Sequence, residues 1–121
     1  MKTKNFKYAA LLFALALVVG LGAYGTSHAY AQAMPATAKV MVMNFGFEPK
    51  EVTIAVGGTV EWTDEGGRHT IESDDASFKS EILVAGGKYT HKFEKAGRYA
   101  YYCMFHGSKG GKDMAGVVVV K

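Results

Sequence analysis

From Lys39 onward, side-chain character changes with every residue. Val40 and Val42 alternate with Met41 and Met43, and Val52, Ile54 and Val56 alternate with Thr53 and Ala55. A period of two sends successive side chains to opposite faces of a pleated strand, and it does not build the apolar stripe of an amphipathic helix. Turn-forming residues break the pattern at Pro49, Gly57-Gly58, Gly66-Gly67, Gly86-Gly87, Gly97 and Gly110-Gly111. Between these marks the alternation predicts strands near 38–44, 50–56, 59–64, 69–73, 80–84, 88–94, 98–103 and 115–121. Short strands with turns every 8 to 12 residues or so predict a sandwich or barrel of mostly antiparallel strands. Trp62, Phe93, Tyr99, Tyr101 and Val118 are expected to fill its core. Residues 116–120 are apolar on both faces and belong inside a sheet.

Upstream the sequence has a different character. Lys2, Lys4 and Lys7 precede an apolar run, AALLFALALVVGLGA, and two small-x-small sites follow at Ser27-His28-Ala29 and Ala31-Gln32-Ala33. This is the plan of a signal peptide covering residues 1–33, with cleavage after Ala33, leaving one domain of residues 34–121 in an extracytoplasmic space such as the periplasm. The competing expectation is a retained N-terminal anchor, because the run is only a little short of the ~17 to 25 residues of a spanning helix. His28 leaves with the leader. The net charge of +3 resides in the three leader lysines, so the remainder carries eleven basic and eleven acidic residues. A balanced domain without a basic face argues against nucleic acid as a partner.

Cys103 is the only cysteine and cannot form a disulfide within the chain. In an oxidising compartment a lone thiol is better explained as a ligand than as a spectator. Three other side chains with donor atoms stand at strand boundaries: His69 after EGGR, His106 three residues past Cys103, and Met114 just before AGVVVV. A strand pair joined across 104–113 would gather Cys103, His106 and Met114 round one point, with His69 arriving from a separate hairpin. A thiolate, two imidazoles and a thioether form a soft donor set suited to copper in both oxidation states, whereas zinc favours stronger fourth donors. A catalytic Cys-His pair would need an orienting third group and a cleft, for which so small a domain has little room.

The stretches FGFEPKEVTIAVGGTVEWTDEGGRHTIES and GRYAYYCMFHGSKGGKDMAGVVVV resemble the cupredoxins, most closely the plastocyanin, amicyanin and pseudoazurin branch, from about Lys39 to Lys121. The resemblance implies an all-β Greek-key sandwich of about eight strands holding one type 1 copper ion. His69, Cys103 and His106 would be its equatorial ligands and Met114 its axial one. The separation of eight residues between His106 and Met114 exceeds the usual plastocyanin spacing. Its glycines allow the extra residues to bulge without moving the anchors. Met104 is the rival sulfur.

The function implied is one-electron transfer between redox proteins, by a protein that is not an enzyme, has no small-molecule substrate and acts as a monomer. Membrane association would follow only from an uncleaved leader. The alternative is a copper carrier or scavenger, for which Met41 and Met43 are the only hint; both are expected to pack rather than bind. His106 would be the electron's exit through a patch of Met104, Phe105 and Gly107, with Tyr102 as a second route. The Asn44 side chain and the Thr70 backbone NH are expected to hydrogen-bond near the cysteine sulfur. His91 shares a strand face with Tyr89 and Phe93 and belongs to the core or its rim. The pairs Asp64-Glu65 and Asp74-Asp75 are expected to be solvated loop charges.

Overall fold

The computed structural model describes residues 33–121. The expected leader, and the choice between cleavage and anchoring, concern residues 1–32 and lie outside that range. Among the described residues there are ten strands and no helix: β1 (Thr37–Met43), β2 (Gly46–Glu48), β3 (Glu51–Ile54), β4 (Thr59–Asp64), β5 (Arg68–His69), β6 (Glu72–Ser73), β7 (Leu83–Val84), β8 (Lys88–Lys92), β9 (Gly97–Ser108) and β10 (Lys112–Val120). They form one sheet ordered β2-β1-β4-β8, a second ordered β3-β10-β9-β6, and a two-stranded pair, β5-β7.

The two larger sheets bury alternate residues against each other as a sandwich. Val40, Val42, Val60 and Trp62 come from the first sheet, and Val52, Ile54, Tyr101, Cys103, Val118 and Val120 from the second. Trp62 lies at the centre, edge-on to Tyr101 at 5.4 Å and tilted against Phe78 and Tyr89. As expected, the valine strand is internal: β10 pairs in parallel with β3 on one side and antiparallel with β9 on the other.

Several expectations change. The segment expected as a single strand at 69–73 is two short strands in different sheets, because β5 pairs with β7 and β6 with β9. Met41 and Met43 do lie opposite Val40 and Val42, yet they are exposed, because none of the described residues covers the outer face of β1. Asp64 is not a solvated loop charge. Inward alternation along β4 places it on the face of Val60 and Trp62, only 1% exposed, with Oδ1 accepting the Gly66 N–H at 2.8 Å. Asp74 is half-buried, and its Oδ2 accepts the Gly110 N–H at 2.9 Å. Asp75 is exposed as expected.

His91 sits at the rim of the core, tilted against Phe78 at 4.9 Å and edge-on to Phe93 at 4.8 Å. Burial disfavours its charged form and holds it below the ordinary value of 6.5. The unfolded chain therefore binds a proton that the folded chain refuses just below pH 6.5, so stability falls as the pH drops through that window. His91→Gln should reduce the loss of urea midpoint between about pH 7 and about pH 5 relative to the parent. An identical pH dependence in both proteins would contradict the assignment.

Candidate metal centre

Cys103 reaches its position by strand alternation. Tyr99, Tyr101 and Cys103 share the inward face of β9, and the sulfur ends fully buried between the sheets as a free thiol. Past Cys103 the alternation breaks, since Met104 and Phe105 are both exposed, and the change of course turns the half-buried His106 back toward the cysteine. His69 comes from the two-residue strand β5, which β7 holds in place through the pairs Arg68–Val84 and His69–Leu83.

Sequence reasoning thus names three donors that the fold brings together. Cys103 Sγ lies 3.8 Å from His69 Nδ1 and 3.6 Å from His106 Nδ1. One ligand atom from each of the three residues falls within 4.8 Å of the others, and the two rings are tilted at 56°. Both imidazoles present the same atom, Nδ1, to the sulfur.

The residues expected near the sulfur are engaged differently. The Asn44 oxygen lies 3.0 Å from His69 Nε2, on the far side of the ring from Cys103, and the Gly66 carbonyl lies 2.9 Å from the same nitrogen. Thr70 contributes its buried hydroxyl, which accepts the Met104 N–H at 2.9 Å and donates to Glu72 Oε2 at 3.1 Å. The residue after His69 is thereby tied to the residue after Cys103. Short strands alone would hold these two ligands less firmly, since β5 has a single paired neighbour.

The segment between His106 and Met114 is not a loose bulge. Strand β9 continues to Ser108 and β10 starts at Lys112, with Ser108 opposite Lys112 and Gly107 opposite Asp113. Gly110 and Gly111 adopt φ of 87° and 74°, so left-handed glycines close the hairpin and the added length becomes ladder, while Asp113, with φ of 54°, stands where the register slips. The register slips between Asp113 and Ala115, so that Met114 alone stands opposite a bulge of β9 made by Cys103 to His106. Its side chain is buried in the same cluster as Cys103, at 1% exposure. Met104, by contrast, is 51% exposed.

Over residues 11–120 the sequence matches the family described as a cupredoxin-like domain. The chain belongs to the cupredoxin family. It is 39% identical over 87 residues to the chloroplastic plastocyanin of Tetradesmus obliquus, covering 62% of this chain and 58% of that protein. This cupredoxin therefore spans little more than half the length of that curated relative. Among solved structures it is similar to a purple cupredoxin from Nitrosopumilus maritimus, with a TM-score of 0.60 at 31% identity over 69% of this chain and 99% of that one. It is also similar to the Cu-containing nitrite reductase (NirK) from Thermus scotoductus SA-01, with a TM-score of 0.61 at 30% identity, over 72% of this chain but 23% of the reductase.

Within the cupredoxin fold, one thiol and two imidazole Nδ1 atoms converging in a water-poor corner are a fit for copper. The outer edge of the centre is more apolar than expected. Phe45, at 69% exposure, stands edge-on to His106 at 4.8 Å, beside exposed Met104 and Phe105. The Arg68 guanidinium lies 4.9 Å above the Phe105 ring. Sequence reasoning missed Phe45 and Arg68, since both come from segments distant from YYCMFHG; the exposed aromatic in FGF was the available signal.

Gly107 fixes how closely the hairpin closes on Met114. An added Cβ would fall on the Met114 carbonyl and within 2.8 Å of both Met114 N and the Lys112 carbonyl, all of them backbone atoms that cannot swing aside. Gly107→Ala should cost about 1–3 kcal/mol in urea unfolding, as overpacking does. Gly46→Ala, with open space around the site, should stay within about 0.5 kcal/mol of the parent. Equal effects at the two positions would refute the close approach.

Proposed function

We propose that this chain carries single electrons between redox partner proteins outside the cytoplasm, using one copper ion held by His69 Nδ1, Cys103 Sγ and His106 Nδ1 with Met114 as axial ligand. The observation that carries this reading is the convergence of a buried thiol and two Nδ1 atoms within 4.8 Å, with every donor anchored in sheet. Bound copper would supply a one-electron Cu(I)/Cu(II) couple, and the protein would supply everything else. Ligands held by paired strands cannot rearrange much between oxidation states. Burial of Cys103 and His69 excludes water from the inner side. The place of Met114 opposite the β9 bulge that carries Cys103 and His106 supports the axial role, as does the burial of its side chain where Met104 is exposed.

His106 suits electron exit because it is the half-buried ligand, with the exposed rings of Phe45 and Phe105 beside it. An apolar surface of this extent fits a brief, low-area encounter with a partner. The carrier reading is less favoured: handing over a metal needs ligands that can be reached and exchanged, and two of the three are fully buried. The fold is shared with a module covering 23% of a nitrite reductase, but the proposed role here is that of an electron shuttle and not of an enzyme.

Adding Cu(II) should produce an intense thiolate-to-copper visible band with a matching EPR signal, and Cys103→Ser should abolish both. A band that survives the substitution would sink the assignment. Met114→Leu should retain the colour and shift the reduction potential; an unchanged potential would mean that another group, or none, occupies the axial position.

A further inference from the structure

We propose that Asn44 is a positioning residue for the metal: from the end of β1 it locks His69 in the tautomer and orientation that offer the Nδ1 lone pair to the ion, and Gly67 is kept free of a side chain so that it can. This deepens the copper reading above and rests on it.

The chemistry of the three groups fixes the proton. The Gly66 carbonyl can only accept, so His69 Nε2 must carry the hydrogen, and Asn44 turns its oxygen toward the same N–H as a second acceptor at 3.0 Å. An imidazole protonated on Nε2 has its lone pair on Nδ1, which is the atom facing Cys103 at 3.8 Å. Turning the ring over would set a carbon against two oxygens and lose both bonds. Asn44 therefore resists the one motion that would withdraw Nδ1 from the site.

The surroundings are arranged for this contact. β1 runs parallel to β4 as far as the Val42–Asp64 pair, and the Glu65 N–H donates to the Val42 carbonyl at 2.9 Å, which sets the end of β1 beside the loop before His69. The buried Asp64 side chain takes the Gly66 N–H and so anchors the residue whose carbonyl, in the following peptide, is the other acceptor. Gly67 has φ of 91°, and a Cβ there would fall on the Asn44 oxygen and 2.9 Å from His69 Nε2. Backbone conformation and space both demand glycine at that position.

The test is a long-range proton–nitrogen NMR spectrum of the histidine rings in the metal-free protein, combined with copper affinity. The parent should show His69 protonated on Nε2 with a slowly exchanging ring proton. Asn44→Leu, similar in shape but without an acceptor, should exchange that proton at least ~10-fold faster and weaken copper binding roughly 10- to 100-fold, the range for groups that orient ligating histidines. Asn44→Asp, which keeps an acceptor, should restore slow exchange, and a general loss of packing would not be rescued in this way. His69 protonated on Nδ1 in the metal-free parent would overturn the proposal without recourse to any variant. So would parent-like exchange and affinity in Asn44→Leu. A parent protein that takes up no copper would defeat the copper reading alone, and the ring-proton exchange would still decide for or against the hold on His69.

Discussion

The antiparallel ladder between β9 and β10 is the contact on which the rest depends. It carries Cys103 and His106 on one strand and Met114 on the other, and its register fixes how the three sit relative to one another. One irregularity makes the ladder into a site. Between the pairs Gly107–Asp113 and Tyr102–Ala115, Cys103 to His106 of β9 stand opposite Met114 alone, and this bulge in β9 turns His106 back toward the sulfur. Met114 keeps the inward alternation that β10 continues through Gly116, Val118 and Val120. Gly107 sits at the edge of the bulge, where only a residue without Cβ lets the strands approach so closely.

His69 has no part in that ladder and must be delivered separately. Its own strand is two residues long, too short to be rigid by itself. The structure compensates with side-chain bonds that cross between elements. Thr70 ties the residue after His69 to the residue after Cys103, Asp64 fixes the preceding loop, and Asn44 and Gly66 hold the ring. Buried polar groups such as Asp64 and Thr70 would be liabilities elsewhere in the sandwich; here the Thr70 hydroxyl and Asp64 Oδ1 each meet a partner that helps position a ligand, while Asp64 Oδ2 stays without one.

The sequence disclosed the parts governed by period. Alternation through Val40, Val52, Trp62, Tyr101 and Val118 identified the strands, the buried face and the internal position of β10, and residue chemistry singled out His69, Cys103 and His106. It was silent where a single backbone angle or a distant partner decides. Nothing local says that the strands on either side of Gly110-Gly111 pair as far as Ser108 and Lys112, or that Asp113 is left-handed where the register slips, so the glycine-rich segment looked like a loop when it is a hairpin. Asp64 next to Glu65 looked like a pair of loop charges, although the strand expected at 59–64 ends on Asp64 and its alternation buries that residue with Val60 and Trp62. Asn44 was recognised as a neighbour of the site, but which atom it would touch depended on a β1–β4 register that no local pattern encodes.

The central claim is that the sheets hold the donor atoms in place before any metal arrives. The most direct measurement is a pair of crystal structures, metal-free and copper-loaded, compared at the ligand side chains. The account predicts copper bonded to Cys103 Sγ and to Nδ1 of both His69 and His106, with the β9–β10 backbone and the His69 ring orientation the same in both states. Copper bound through Nε2, or a ring or strand that rearranges on loading, would contradict it.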